Sequence, residues 1–172
     1  RFFNVLGMSF EGLTKDYGAI LSFLRGTPKY LLAIGGAFLT YRRMPLRVKF
    51  NDLELDEKVF LMSIGNGWNV GGGLQLTPKA IIDDGFFDVC YVENITRFRI
   101  IQDFAKLYDG TADQVPEVKM HKTKELTVES DHPIRAHVDG ESFDPRQKSF
   151  KISLIPKAQE IIGNWSADTR FN

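Results

Sequence analysis

The sequence predicts a mainly β domain of the α+β class, a β-sandwich-like core with a few peripheral helices. Short apolar or alternating segments bounded by turn residues outnumber the helical segments. The 172 residues suffice for one domain with a sizeable core. The longest apolar run, residues 30–39, has about half the length of a membrane-spanning helix. We place the domain at residues 1–158 and a polar tail at 159–172.

Residues 1–10 have the pattern of a strand, and two helices are expected to follow it. Thr14 is the expected N-cap of the first helix. Thr27-Pro28 begins the second helix, as a cap followed by a first-turn proline. Because a glycine weakens a helix by ~1 kcal/mol, the pair Gly35-Gly36 indicates that another element packs closely there. The expected apolar face of the second helix contains Tyr30, Leu31, Ile34, Phe38 and Tyr41.

Strand patterns dominate after Pro45, interrupted by one amphipathic helix. That helix covers residues 96–110, with Thr96 as its N-cap and Gly110 at its end. The short basic run 119–124 is interpreted as a solvated edge. The helix residues expected to face inward are Ile100, Ile101, Phe104, Leu107 and Tyr108. The predicted strands are 46–50, 58–64, 86–92, 125–130, 134–143 and 149–155.

The charge balance argues against a nucleic-acid partner. The chain has 22 Lys plus Arg and 22 Asp plus Glu, whereas contacts to phosphates usually require a basic excess. Cys90 is the only cysteine, so no disulfide forms within the chain and a reducing cytoplasm is expected. The chain begins at Arg1 directly in a strand-like segment, which we interpret as a piece of a longer protein.

Two acids flank a glycine in the segment AHVDGESF, residues 136–143. Asp139-Gly140 is a strong hairpin-turn sequence. However, DPRQ at 144–147 offers a reversal that is followed by a better strand, so we expect residues 134–143 to run extended. Asp139 and Glu141 would then lie on one face about 7 Å apart, where their repulsion favours a general base. The alternative is that both acids are simply solvated.

Two further clusters do not match the established ligand-binding motifs. Residues 65–73 contain five glycines, but Val70 occupies the third glycine position of the dinucleotide fingerprint. A bulged strand is as good an interpretation as a binding loop. Residues 78–89 contain three aspartates without the spacing of an EF-hand. Asp84-Gly85 could be an ordinary turn, or Asp84 could hold a hard cation with the help of backbone carbonyls.

The order of these motifs resembles the C-terminal domain of the bacterial diacylglycerol kinase and lipid kinase family, which is related to sphingosine kinases. The sequence has an "NG" followed by "GGG", then "P-x-A", "DDG-x-x-D" and, near the end, "VDGE". The resemblance implies a two-domain enzyme whose other domain, N-terminal and absent from this chain, binds ATP. "GMSFEG" replaces the usual "GFGFDA" type of start, and "DGTADQ" lacks a Gly-x-His.

The resemblance also implies roles for particular residues. Glu141 matches the general base that deprotonates a lipid hydroxyl, and Asp139 matches its neighbouring acid. Asp84 matches the side-chain ligand of a structural Mg²⁺, with carbonyl oxygens from Ile81 and Phe86. Phosphoryl transfer fits an acid that accepts the hydroxyl proton. The expected substrate cleft is lined by Asn66, Gly71, Gly72 and Gly73.

The leading hypothesis is therefore the lipid-binding and base-bearing half of an ATP-dependent, Mg²⁺-dependent kinase for diacylglycerol or a similar lipid alcohol. The fragment alone is expected to be inactive, and its expected partners are the lipid and its own N-terminal domain. We expect a cytoplasmic location with peripheral contact at the inner membrane face, and a homodimer stays open. The alternatives are a non-catalytic lipid-binding or regulatory β-sandwich and a kinase for a soluble alcohol.

Overall fold

The computed structural model describes residues 1–21, 23–144 and 146–160, without the side chains of Gly26, Thr27, Tyr30 and Gly72. In this part of the chain three α-helices and nine strands form. The helices are α1 (Phe10–Ile20), α2 (Gly26–Thr40) and α3 (Arg97–Asp103). The first five strands are β1 (Val5–Ser9), β2 (Met44–Phe50), β3 (Leu53–Gly65), β4 (Phe87–Glu93) and β5 (Val118–Thr123). The last four are β6 (Glu125–Glu129), β7 (Ala136–Val138), β8 (Glu141–Ser142) and β9 (Ser149–Ser153).

All nine strands belong to one antiparallel sheet that is centred on the long strand β3. One path through the sheet runs β8-β7-β1-β3-β2-β6-β9, and β4 and β5 extend from β3. The register of β3 on β4 shifts between Val59 and Leu61, which is a β-bulge at Phe60. The bulge turns Phe60 and Leu61 toward the same side, whereas the flanking Val59 and Met62 belong to the core on the other side.

The two faces of the sheet bury different sets of residues. The larger cluster, which includes Leu6, Met8 and Ile64, fills the inside of the curled sheet. The smaller cluster, which includes Val5 and Leu61, lies on the side that carries residues of all three helices or their flanks. We call this side the helix-facing side. The predicted mainly β, sandwich-like fold with few helices is confirmed.

Helix α1 begins one turn earlier than predicted. Ser9, the last residue of β1, has a φ of 64° and leads directly into the helix at Phe10. Thr14 is therefore not an N-cap, and its hydroxyl donates to the carbonyl of Phe10 at 3.0 Å. No polar linker separates this strand from the helix. The sequence pattern therefore predicts a single strand over residues 1–10.

The helix predicted at 96–110 is shorter in the structure. Thr96 is its N-cap as predicted, because its hydroxyl oxygen accepts from the Arg99 N–H at 3.2 Å. The chain tightens into a 3₁₀ turn after Asp103, and this change rotates the later side chains. Tyr108, which follows this turn, is 40 % exposed. Ile101, which lies on α3 before the turn, is 66 % exposed. The prediction that these two residues face inward is therefore wrong.

The prediction of close packing at the two glycines of α2 holds for Gly36. A Cβ on Gly36 would lie 2.7 Å from the Tyr17 ring of α1, whereas a Cβ on Gly35 would meet open space. Leu31 is half exposed, contrary to its predicted place on the apolar face. The predicted roles of the Thr27 and Tyr30 side chains lie outside the described atoms.

The segment 134–143 is not one extended strand. Asp139 and Gly140 have φ values of 47° and 84°, and the chain reverses there to form the hairpin β7–β8, with Val138 opposite Glu141. The prediction is wrong because the Asp-Gly turn signal outweighs the shortness of the returning strand. Residues 119–124, interpreted as a solvated edge, belong mostly to β5, which pairs with β4.

No helix in the described ranges is long and apolar enough to cross a lipid bilayer. Of the predicted polar tail at 159–172, residues 161–172 lie outside the described residues. The division of the chain into a domain and a tail stays a prediction.

Candidate functional site

A cavity of about 770 Å³ lies between the helices and the helix-facing side of the sheet. Its lining is mostly apolar and comes from β1, β3, all three helices and the loop that follows β3. Examples are Ile34 and Phe38 of α2, Leu61 of β3, and Leu74. A volume of this size is typical of pockets for small organic ligands.

One polar region of the cavity wall contains an acid and a histidine. Glu11 Oε2 lies 3.5 Å from His137 Nε2, and both side chains are buried. Glu11 Oε1 and His137 Nδ1 are buried without a hydrogen-bond partner in the described part of the protein. Asp139, two residues after His137, also lines the cavity. The wall therefore contains an acid and an imidazole beside a mostly apolar space.

Two glycines allow this pair to form. A Cβ on Gly7 would lie 2.4 Å from Glu11 Oε2 and 2.5 Å from His137 Nε2, so any larger residue would fill the place of the pair. A Cβ on Gly12 would lie 2.4 Å from the backbone of Arg135. Because Gly12 has no side chain, α1 lies directly against the segment before β7, and Glu11 reaches His137.

The strand register brings the pair over the middle of the sheet. Gly7 of β1 lies opposite His137 of β7 on one edge and opposite Ser63 of β3 on the other. Ser63 in turn lies opposite Cys90 of β4. Glu11 thus covers a row of small or polar residues across four strands of an otherwise apolar sheet.

Burial dominates the electrostatics of this region. It raises the pKa of Glu11 above its ordinary value, and the neighbouring His137 acts in the opposite direction. Burial, aided by the negative charge of Glu11, also raises the pKa of the Cys90 thiol. Cys90 is thus kept as a thiol, whereas Glu11 is adapted to exchange a proton or to bind a hydroxyl.

The structure separates the two acids that the sequence placed together. The Asp139 carboxylate accepts from the backbone N–H groups of Phe3, Asn4 and Val5, at 2.6, 2.9 and 2.9 Å. Glu141 lies beyond the turn on β8, is exposed, and is not among the residues that line the cavity. The expectation that both carboxylates share one face is therefore wrong, while their catalytic roles stay predictions.

Of the predicted cleft residues, Gly71 lines the cavity. The Asn66 side chain instead donates to the Phe3 carbonyl at 3.0 Å. Gly73 has a φ of 85°, and a Cβ there would lie 4.0 Å from the Tyr108 ring. Gly72 belongs to the same 3₁₀ turn, and its contribution to the cavity lies outside the described atoms.

The residues predicted to hold Mg²⁺ have other partners. Asp84 Oδ2 accepts from Lys122 Nζ at 2.7 Å, and Asp84 Oδ1 accepts from the Phe86 N–H at 2.9 Å. The Ile81 carbonyl accepts from the Asp84 N–H at 3.3 Å. Within the described ranges no group of three or more His, Cys, Asp or Glu side chains could hold a metal ion. The residues present do not fit the expected Mg²⁺ site.

Sequence reasoning did not assign Glu11 and His137 to a binding site. His137 belongs to the segment AHVDGESF of the two acids, and Glu11 to the departure GMSFEG. The available signal was an acid soon after an apolar strand, four residues after one glycine and one residue before another. The sequence did not connect His137 with Glu11, because the pairing of β7 with β1 has no local sequence pattern.

Comparison with known proteins supports the family suggested by the sequence motifs. Residues 8–163 match the family described as the YegS C-terminal NAD kinase beta sandwich-like domain. The "Probable lipid kinase YegS-like" of Chromohalobacter salexigens is 28% identical over 150 residues, which are 83% of this chain and 48% of the relative. A diacylglycerol kinase of Mycobacterium tuberculosis is 25% identical over 162 residues, which are 94% and 52% of the two chains.

The fold is also found in solved structures. A diacylglycerol kinase from Bacillus anthracis strain Sterne superimposes with a TM-score of 0.55 at 17% identity, covering 90% of this chain and 47% of that one. Another protein structure from the same strain gives a TM-score of 0.61 at 19% identity, covering 90% and 50%. The chain thus spans about half the length of the proteins it matches.

Proposed function

Because the chain belongs to the YegS C-terminal NAD kinase beta sandwich-like family, we propose that it is the lipid-binding part of an ATP-dependent kinase for diacylglycerol or a similar lipid alcohol. The observation that carries this proposal is the apolar cavity of about 770 Å³ with one polar region. A lipid alcohol likewise has an apolar part, its acyl chain, and a polar part, its hydroxyl. The names of the kinase relatives favour the same substrate class.

In this proposal the acyl chain lies among the apolar side chains of α2, α3 and β3, and the hydroxyl lies toward the turn at Asp139-Gly140, which lines the cavity directly before Glu141. The pair of Glu11 and His137 lines the cavity beside this turn, since His137 lies two residues before Asp139.

The catalytic base stays a separate proposal. Asp139 already accepts three backbone N–H groups, whereas the exposed Glu141 on the next strand is free to approach a substrate bound between two domains. We assign the base to Glu141 and a structural role to Asp139. We assign ATP and the Mg²⁺ that accompanies it to an N-terminal domain. The kinase relatives are about twice as long as this chain, which leaves room for such a domain.

The surface of the helices suits contact with a membrane, which would supply the lipid. Seven of the twelve large exposed hydrophobic side chains that the structure describes lie on α3 or between α1 and the end of α2. Basic residues surround them, and the acid Asp16 is paired with Arg135. This combination of exposed apolar and basic side chains favours binding to anionic lipid surfaces. The exposed residues are Ile20, Phe23, Leu31, Leu32, Leu39, Phe98 and Ile101, and the basic ones Lys15, Arg25, Lys29, Arg42 and Arg43.

The test is phosphate transfer from ATP to diacylglycerol in vesicles by the full-length protein. We expect transfer by the wild type, a loss of at least about a hundredfold in Glu141→Gln, and no change in Glu129→Gln, an exposed acid of β6. Absence of transfer together with retained lipid binding would favour the non-catalytic alternative. Transfer to water-soluble alcohols at an equal rate would contradict the lipid substrate.

A substitution at Glu11 separates binding from proton transfer. We expect Glu11→Gln to raise KM for the lipid with a smaller effect on kcat, because it alters the wall of the cavity and leaves the proposed base in place. If Glu11→Gln abolished kcat while Glu141→Gln did not, Glu11 would be the base and the assignment to Glu141 would be wrong.

A further inference from the structure

Lys122 holds together the acidic segment in which the sequence suggested a metal ion. Its Nζ lies 2.7 Å from Asp84 Oδ2 and 2.9 Å from Asp88 Oδ2. The two carboxylate side chains are 23 % and 12 % exposed, and the lysine side chain 42 %. One ammonium group therefore bridges two acids of the segment that leads into β4.

The position of this lysine follows from the fold. β5 pairs with β4 so that Lys122 lies directly opposite Asp88. The Asn51 side chain, from the turn between β2 and β3, donates to the Lys122 carbonyl at 3.0 Å. Asp84 reaches the same ammonium from the loop before the strand, which turns at Gly85 with a φ of 78°.

The arrangement already engages both Asp84 oxygens and the Ile81 carbonyl, three of the oxygens that a metal ion would need. Asp84 gives one oxygen to the Phe86 N–H and the other to Lys122, and the Ile81 carbonyl accepts from the Asp84 N–H. Mg²⁺ requires near-octahedral oxygen ligands at roughly 2.0–2.1 Å, and an ammonium among them would repel it. A second ammonium, Lys124 Nζ, lies 5.0 Å from the centre of the Phe86 ring.

We propose that the Lys122 ammonium takes the place of a divalent cation in this chain, so that the segment 81–88 folds without Mg²⁺. Asp84 and Asp88 share one positive charge at hydrogen-bond distance, and that charge is covalently attached to the neighbouring strand. The lysine therefore joins the loop to β5 whatever the concentration of metal ions.

This inference is independent of the kinase proposal, since its readouts are metal binding and stability. The first test uses the protein without nucleotide and measures thermal unfolding with excess EDTA or with millimolar MgCl₂. We expect the two midpoints to agree within about 1 °C, because a ligand that binds the native state would raise the midpoint. A clear rise with Mg²⁺ would overturn the proposal.

Mn²⁺ gives a local readout that does not require a variant. Bound at Asp84, this paramagnetic ion would broaden the backbone amide NMR signals of residues 84–88. We expect these signals to keep their widths at Mn²⁺ concentrations that saturate ordinary Mg²⁺ sites. Selective broadening of this segment would overturn the proposal.

Lys122→Met removes the charge and keeps most of the side-chain length. We expect its midpoint to fall at least about 4 °C below that of Lys119→Met, and Mg²⁺ to restore part of the difference. Lys119 is the matched control, because it lies on the same strand and its ammonium donates to the Pro116 carbonyl at 2.9 Å. Equal midpoints of the two variants in EDTA would overturn the proposal.

Discussion

Asp139 combines a left-handed backbone with a carboxylate that three consecutive N–H groups contact. Its φ of 47° is one that aspartate tolerates better than most residues. Its own N–H donates to the Val5 carbonyl at 2.9 Å. The residue thereby fixes the start of β1 to the β7–β8 hairpin, and with it the strand that carries His137.

Asp139→Ala should therefore destabilise the protein much more than Glu141→Ala. We expect a loss of about 2–3 kcal/mol in the free energy of unfolding for Asp139→Ala, from the hydrogen bonds to a charged group and the left-handed backbone. Glu141→Ala should change it by less than about 0.5 kcal/mol, as is usual for an exposed residue. Urea unfolding at neutral pH measures both. Equal losses would contradict the structural role of Asp139.

Glu11→Gln should make the protein more stable at high pH. Burial raises the pKa of Glu11 above its ordinary value of 4.5, so the folded state holds this proton more tightly than the unfolded chain does. The contribution of Glu11 to stability then falls as the pH rises from about 4.5 through the raised pKa. Glutamine carries no such dependence.

Thermal unfolding of Glu11→Gln and the wild type at pH 4 and pH 8 measures this effect. The variant should be more stable at pH 8, on the order of 1 kcal/mol, and the difference should shrink toward pH 4. A difference in stability that did not depend on pH would contradict the raised pKa of Glu11.

At the scale of elements, the helix pair α1–α2 is held together by contacts that the sequence indicated only in part. The two glycines of α2 were expected to allow close packing, and Gly36 does so against Tyr17. The Tyr17 hydroxyl is in turn 2.9 Å from the Thr40 hydroxyl, so its ring is held in place. Gly35 instead faces open space and lines the cavity.

Alanine should have opposite effects at these two adjacent glycines. Gly35→Ala should stabilise the protein by about 0.5–1 kcal/mol, because it favours the helix without a clash. Gly36→Ala should destabilise it by about 1–3 kcal/mol, because its Cβ meets a fixed ring. Thermal unfolding of the two single variants is the measurement. The same sign for both would contradict the described packing of α2 on α1.

The strands were largely predictable, and the hairpin shows where prediction failed. Alternating or apolar segments identified β2, β3, β4, β6 and β9, because these patterns arise from burial on one or both faces. The turn signal at Asp139-Gly140 competes in the sequence with DPRQ at 144–147, because only residues 141–143 separate the two and the longer strand follows the second. Hydrogen bonds from Asp139 to β1 stabilise this turn, and such distant contacts have no local sequence pattern.

At the scale of the whole molecule, the candidate site combines segments that are far apart in sequence. Motif order identified the family, and Asp139 and Gly71 line the cavity. The pair of Glu11 and His137 depends on the pairing of β1 with β7 and on the absence of a side chain at Gly7. Neither could be derived without the topology of the sheet. The proposed Mg²⁺ ligands were adjacent in sequence, but Lys122 comes from another strand.

The asymmetric surface leads to a prediction about membranes. Phe23→Glu combined with Leu32→Glu should lower binding of the protein to anionic vesicles at least about tenfold, since it removes apolar area and adds negative charge. Phe143→Glu combined with Ile155→Glu is the matched control, because these exposed residues belong to no helix. Vesicle sedimentation measures both. Equal effects would argue against the helices as the membrane-facing surface.

The most direct test of the central claim is to locate the acyl chain of a bound lipid. A diacylglycerol with a diazirine at the end of one acyl chain can be photolysed on the full-length protein, and labelled peptides can be mapped by mass spectrometry. We expect labels within residues 31–38 and 100–107, which line the cavity, and their loss in Gly35→Trp but not in Gly35→Ala. Labels confined to other surfaces, or unchanged by Gly35→Trp, would contradict the assignment of the cavity to the lipid.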